Sequence, residues 1–301
     1  MPGRHARAAV RVRAFAKINL TLRVLGARPD GYHDLRTTFQ SLALHDTLTC
    51  RARPGPFRIA CDDPACPADE TNLVWRAAER VWAGGRRRGA PRDVVVRIAK
   101  RIPMEAGLGG GSSDAAAAIR VLAALWRLDL TAARTRSIAA ALGADVPFFL
   151  EGGTALGIGR GDVLSPLPDA PAAWVTLVVP AFGVRTAEAY GWFDQSDATR
   201  ARRASRLRPL AWPQALLDGN DLEAPVAARH PEIGRLVKAL LRAGASHAAM
   251  SGSGSAVFGL FDRRVDASAA ARALARRGRR IIVTRTLGRA RYARLARPAR
   301  A

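Results

Sequence analysis

The sequence predicts an α+β protein of two domains, and three observations carry that prediction. At 301 residues the chain is long enough to bury about three quarters of its unfolded surface and to divide into about two domains. Segments with apolar residues at alternate positions are interleaved, in both halves, with segments whose apolar residues recur at helical spacing. The composition, 49% hydrophobic and 24% charged, is that of a globular chain rather than a disordered or membrane-embedded one.

The elements follow in order. Val10 to Leu25 alternates well enough for a strand, and Arg28-Pro29-Asp30-Gly31 supplies a turn before a second extended segment near Leu42 to Arg53. Asn72 to Ala83 places Leu73, Val74, Ala77, Ala78, Val81 and Trp82 on one helical stripe and breaks at Gly84-Gly85. The β-branched run Val94-Val95-Val96-Arg97-Ile98 predicts a strand, which leads through Pro103 into a glycine-rich loop and then a helix over Ala115 to Arg127. Thr131 to Leu142 reads as a helix stopped by Gly143, and Trp174 to Val179 as a strand before Pro180. Ser196 to Pro213 is polar and Arg-rich, as in a solvated loop or linker. Beyond it come a helix over Glu232 to Ala243, a second glycine-rich loop over Met250 to Ser255, a strand over Ala256 to Phe261 and a helix over Ala267 to Arg276. The last fifteen residues, basic and Ala-rich, read as a loosely held tail.

The net charge of +23 would ordinarily point to nucleic acid or acidic lipid. Of the 48 basic residues, however, only Lys17, Lys100 and Lys238 are lysine, and alanine is abundant, so the charge reports a chain-wide drift toward Arg and Ala. Arginine replaces lysine easily on a solvated surface and poorly where a compact, movable ammonium is needed, which singles out the three lysines that remain. Cys50, Cys61 and Cys66 are odd in number and match no metal or redox spacing, so they are expected to be reduced. No stretch approaches the roughly 18 apolar residues of a membrane span, and the opening MPGRHARAAVRVRAFAK has no signal-peptide core; a cytoplasmic protein with no membrane partner is expected.

Gly107-Leu108-Gly109-Gly110-Gly111-Ser112-Ser113-Asp114 ahead of a helix is a ready anion site. Glycines let backbone N–H groups approach phosphate oxygens, and the helix dipole favours negative charge at that end. Four glycines within five residues are more than a tight turn needs. Ser112 and Ser113 can cap the helix and offer hydroxyls to phosphate or to Mg²⁺, while Asp114 either extends that metal site or completes the first turn. No GK[ST] closes the loop, so it is not a Walker A sequence, and the spacing does not fit a dinucleotide fingerprint.

The run Pro103-Met104-Glu105-Ala106 through Ser113-Asp114-Ala115-Ala116 resembles the PxxxGLGSSAA signature of the GHMP kinases. The resemblance implies an amino-terminal ribosomal-protein-like α/β domain over residues 1–165, a ferredoxin-like carboxy-terminal domain over 166–301, and ATP with Mg²⁺ as cofactors. Ala16-Lys17-Ile18-Asn19-Leu20 with the downstream Tyr32-His33, Gly143-Ala144-Asp145-Val146-Pro147-Phe148, and Ser251-Gly252-Ser253-Gly254 are similar to the branch of that family that phosphorylates the tertiary hydroxyl of a diphosphocytidyl-linked methylerythritol. By that resemblance Asp145 is the catalytic base and Lys17 the lysine beside it. Asn19, Tyr32 and His33 belong to the substrate pocket, with Tyr32 stacking on cytosine and His33 bonding its edge; Thr186 and Tyr190 line its other side, and Ser251, Gly252 and Ser253 its floor. Asn72, Leu73, Lys100 and Met104 fall around adenine and ribose, and Gly107 to Asp114 around the phosphates. Two departures stand out: Glu105-Ala106 replaces glycines of some relatives, and Tyr190 stands where some have phenylalanine. The resemblance leaves monomer and homodimer open. Another GHMP kinase is the near alternative. A basic RNA-binding protein is the distant one, disfavoured by 6% aromatics and scattered arginines, so no nucleic-acid partner is expected.

Overall fold

The computed structural model describes residues 9–196 and 219–300, so the Arg-rich segment anticipated up to Pro213 lies, beyond Ser196, outside the described residues. The chain opens on a long antiparallel hairpin, β1 (Val10–Ala27) and β2 (His33–Pro56), turning at Gly31 with φ +80°. Its register slips three times, between Phe15 and Lys17, Asn19 and Thr21, and Val24 and Gly26. Such slips twist a strand and re-aim its side chains, and the first two bracket Lys17 and Asn19. To this hairpin are added β3 (Arg58–Cys61), β4 (Arg92–Ala99), β5 (Thr154–Gly159) and β6 (Val163–Pro166). Two later strands return to the same sheet: β8 (Gly219–Asn220) and β12 (Ala299–Arg300) both pair with β1.

The helices α1 (Leu73–Gly84), α2 (Gly110–Leu125) and α3 (Ala132–Leu142) pack on one another, and α2 packs on β1 and β2. Their shared core holds Val81, Trp82, Val96, Ile119, Leu122 and Phe148, the last from the short α4 (Phe148–Glu151). A second, four-stranded sheet runs β11 (Arg280–Arg285), β7 (Trp174–Val179), β10 (Val257–Phe261), β9 (His247–Met250). With it go α5 (Thr186–Asp194), α6 (Glu223–Arg229), α7 (Glu232–Arg242) and α8 (Arg264–Ala273). A third apolar cluster joins the two sheets: Ile18 and Leu42 of the first meet Val175, Leu177 and Phe258 of the second, with Ala106 and Leu108 of the glycine loop among them.

Three expectations need correction. The helix after the glycine loop begins at Gly110, not Ala115, because Ser113 N–H already bonds the Gly109 carbonyl at 2.9 Å. The helix placed over Ala267 to Arg276 runs from Arg264 to Ala273, since Arg263 is its first extended neighbour and Ala267 and Ala270 its buried face. The carboxy-terminal tail is not loose. Arg289–Leu295 forms a helix, α9, whose Tyr292 is 2% exposed, packs on Phe15 and donates its hydroxyl to the Phe149 carbonyl at 2.7 Å. One buried aromatic outweighs the polar composition around it.

Candidate active site

A cavity of about 970 Å³ opens where β1, β2, the head of α2, α5 and the loop after β9 converge. Lys17, Asn19, Tyr32 and His33 line it from the hairpin, Asp145 from the segment before α4, and Thr186 and Tyr190 from α5. Leu73, Lys100, Met104 and the unbroken run Gly107–Ser112 line another wall, and Gly252 and Ser253 close the floor. Asn72, Ser113, Asp114 and Ser251 are not part of the lining; three of them hold residues that are. Asn72 caps α1 by accepting from Val74 N–H at 2.8 Å, which fixes the adjacent Leu73. Ser251 donates to the Gly107 carbonyl at 3.0 Å. Asp114 is bound beneath the loop by Lys100 rather than turned outward, and the Ser113 hydroxyl is buried with no hydrogen-bond partner among the described residues.

Lys17 and Asp145, 128 positions apart, meet with Nζ 3.3 Å from Oδ2. The ammonium also donates to Asn19 Oδ1 at 2.7 Å, while Asn19 Nδ2 donates to Thr37 Oγ1 at 2.7 Å. Thr37 spends its own proton on the Thr21 carbonyl, so the amide of Asn19 has one orientation that satisfies all three groups. The Lys17 side chain is 4% exposed and that of Asp145 33%, which leaves the carboxylate reachable from the cavity and the ammonium fixed behind it.

The glycine loop is stitched on both sides. Lys17 N–H bonds the Leu108 carbonyl at 3.0 Å, and Ala256 N–H bonds the Ala106 carbonyl at 3.2 Å. Gly109 has φ +70°, and a Cβ there would lie 2.7 Å from Phe149 Cζ and 3.2 Å from Lys17 Cε. Any side chain would therefore intrude on the lysine. Gly252 is constrained in the same way from the opposite wall: φ is +57°, and a Cβ would lie 3.3 Å from Lys17 Nζ. The amide of Asn220 holds that second loop in place, donating to the carbonyls of Met250 at 2.8 Å and Gly252 at 2.7 Å.

Under the first loop, Lys100 Nζ lies 2.5 Å from Asp46 Oδ2 and 2.9 Å from Asp114 Oδ2, with all three side chains buried. Burial works against the charge on Lys100, but the carboxylates of Asp114 and Asp46 hold it above its ordinary value. Burial also pushes the Asp114 carboxyl up to about 7, against the pull of Lys100 and with Asp46 adding to the rise. Two carboxylates share one ammonium, and Asp46 also takes the N–H groups of Arg101 and Ile102, so Asp114 is the member that accepts a proton near neutrality.

At the far end, the His33 ring stacks on Tyr190, centroids 4.8 Å apart at 21°, and its Nε2 lies 2.9 Å from Asp194 Oδ1. Burial, with a push from the Asp145 carboxylate, raises the Tyr190 phenol and keeps it protonated. Tyr32 stands 54% exposed at the rim, with the Arg160 guanidinium 5.1 Å from its ring centre. Asp46, Arg160, Asp194 and Asn220 carry no motif and were not among the expected residues. Only Asp194, one helical turn beyond Tyr190, had a spacing that could have drawn attention.

This architecture, with its glycine loop at a helix start facing a lysine–carboxylate pair, defines a known class. The GHMP kinases N terminal domain family matches residues 72–153, and the GHMP kinases C terminal family matches residues 197–280. The chain belongs to the GHMP kinase family. It is 46% identical over 284 residues to a 4-diphosphocytidyl-2-C-methyl-D-erythritol kinase of Moorella thermoacetica, covering 91% of this chain and 98% of that one. It is 44% identical over 276 residues to the protein of the same name from Gloeobacter violaceus, covering 88% and 90%. A crystal structure of 4-(cytidine 5'-diphospho)-2C-methyl-D-erythritol kinase superposes with a TM-score of 0.75 at 34% identity, covering 92% of this chain and 99% of that one. Within the GHMP family the chain therefore belongs to the 4-diphosphocytidyl-2-C-methyl-D-erythritol kinases. A homoserine kinase from Cytophaga hutchinsonii, TM-score 0.67 at 19% identity over 96% of this chain and 97% of that one, shares the fold.

Proposed function

We propose that this chain transfers the γ-phosphoryl group of ATP to the tertiary 2-hydroxyl of 4-diphosphocytidyl-2-C-methyl-D-erythritol, giving the 2-phosphate and ADP, in the non-mevalonate route to isoprenoids. The observation that carries the reading is the Lys17–Asp145 pair, set in the same cavity as the glycine-led start of α2. Phosphoryl transfer needs in-line placement, neutralised phosphate charge and a partner for the hydroxyl proton. Asp145 takes that proton, and Lys17, held by Asn19, keeps the carboxylate oriented and offsets charge on the transferring group. The amides of Gly107 to Ser112 cradle the phosphates, with Lys100 beneath them, and Leu73 and Met104 face the adenine side.

Among the described residues no three His, Cys, Asp or Glu side chains come together as a metal cage. The donor at the head of α2 is the Ser112 hydroxyl, which suits Mg²⁺ held mainly by triphosphate oxygens and water. Bound there, the ion would neutralise phosphate charge. At the other end Tyr32 and Tyr190 offer aromatic faces to the cytosine, His33 its edge contact, and Thr186 and Ser253, whose hydroxyls lie 3.2 Å apart, polar groups to the rest of the substrate. We assign residues 1–165 to an amino-terminal domain that binds ATP and also carries Asn19, Tyr32 and His33 of the substrate pocket. Residues 166–301 are assigned to a carboxy-terminal substrate-binding domain that supplies Thr186, Tyr190 and the floor at Gly252 and Ser253, in a cytoplasmic enzyme, monomeric or homodimeric. No helix among the described residues is long and apolar enough to cross a membrane.

ADP release measured with the diphosphocytidyl substrate, mevalonate, homoserine and galactose tests the assignment. Turnover is expected with the first alone; turnover with one of the other three and not the first would overturn it.

A further inference from the structure

The imidazole of His33 is held between two residues of α5 one helical turn apart. Tyr190 lies against its face and Asp194 takes Nε2 at 2.9 Å, while Phe193 meets the ring edge-on at 6.5 Å. All of His33, Tyr190 and Asp194 line the cavity. The His33 side chain is 10% exposed and that of Asp194 49%, so the carboxylate meets water on one side and the ring on the other. A carboxylate oxygen facing Nε2 accepts, so Nε2 carries the hydrogen, and in the neutral form of the ring Nδ1 is the lone-pair acceptor.

We propose that Asp194 is a positioning residue that fixes this tautomer of His33 and thereby selects cytosine over uracil in the substrate. The proposal rests on the reading of this end of the cavity as the base site. Cytosine carries an exocyclic amino group, a donor, where uracil carries a carbonyl oxygen, an acceptor. An acceptor at His33 Nδ1 bonds the first and opposes the second. A site that leaves two acceptors facing each other discriminates far more strongly than one that merely lacks room. Tyr32 and Tyr190 cannot supply that choice, because stacking is tolerant of which base is bound.

The test compares wild type with Asp194→Asn at a pH of about 8, above the usual histidine range. Both are assayed with the diphosphocytidyl substrate and its diphosphouridyl analogue. An asparagine can present either its oxygen or its amide to Nε2 and so admits both tautomers. The expected result is a loss of at least about tenfold in the cytidine-over-uridine ratio of kcat/KM, falling on KM for the cytidine substrate and not on KM for ATP. In protein labelled with ¹⁵N-histidine, the His33 ring, assigned by its loss in His33→Gln, is expected as the Nε2–H form in wild type and as a mixture in Asp194→Asn. An unchanged ratio in the variant, or an Nδ1–H ring in wild type, would overturn the proposal. A wild-type enzyme inert toward both nucleotides would instead overturn the functional reading on which the specificity rests.

Discussion

Lys17 has a neighbour on every side: Asn19 at 2.7 Å, Asp145 at 3.3 Å, the Phe39 ring 5.6 Å away, and Gly109 and Gly252 with no space for a methyl group toward it. A guanidinium is larger and planar, so Lys17→Arg is expected to lose most turnover although it keeps the charge. Asp145→Asn keeps shape and loses the proton acceptor, so kcat should fall by about 10²- to 10⁴-fold with ATP binding retained in a nucleotide titration. Near-normal turnover in either variant would remove its assigned role. The buried Asp114 makes a different prediction. Its folded carboxyl holds a proton up to about 7 against an ordinary 3.8, so the folded state binds more protons than the unfolded one between those values. Its contribution is present below the lower value and is lost as pH rises through the upper one. Urea unfolding of wild type and Asp114→Asn from about pH 4 to pH 8 should show the variant gaining on wild type across that window; parallel curves would show that Asp114 is ionised throughout.

The head of α2 shows what an element adds to its residues. The serines invited a reading as caps, yet the cap position is Gly109 in the left-handed conformation, with no side-chain cap bond. That leaves the first N–H groups of the helix available to a ligand. Gly109→Ala places a methyl group against Phe149 and Lys17 at φ +70°. It should destabilise by about 1–3 kcal/mol and displace the lysine, so ATP affinity and kcat fall together. Loss of stability alone, with kinetics intact at low temperature, would show that the loop tolerates the shift. The second glycine loop works through contact rather than sequence: Ser251 bonds the Gly107 carbonyl, and Asn220 bonds Gly252. The first glycine segment reads locally as an anion site and the second as a turn, and their docking is what makes them two sides of one cavity.

In the whole molecule, the two sheets are tied at more than their shared apolar cluster. Leu287 N–H bonds the Ser41 carbonyl at 2.8 Å, α9 packs Tyr292 against Phe15, and β12 pairs with the start of β1. The end of the chain thus braces the strand that carries Lys17. Tyr292→Ala removes a fully buried ring and should lower stability by about 3–5 kcal/mol, read as a shift of the urea midpoint; a shift under about 1 kcal/mol would mean that α9 is dispensable.

The sequence by itself determined the local chemistry. Gly107 to Asp114 is short, contiguous and constrained by backbone geometry, so its anion site could be read without a fold, whereas the roles of Lys17, Asp145 and Ser251 followed from the resemblance of the short segments around them to the GHMP kinases. The alternation of strand and helix, like that loop, was legible without a fold. Tertiary structure alone decided which of these residues face the cavity and which lie behind it, as with Asp114 under Lys100. It also supplied Asp46, Arg160, Asp194 and Asn220, whose partners in the site, Lys100, the Tyr32 ring, His33 and the carbonyls of Met250 and Gly252, lie far away along the chain. A carboxylate gains meaning from what it faces, and a basic tail gains structure from one tyrosine's pocket. Neither is encoded within the few residues over which propensity and spacing act.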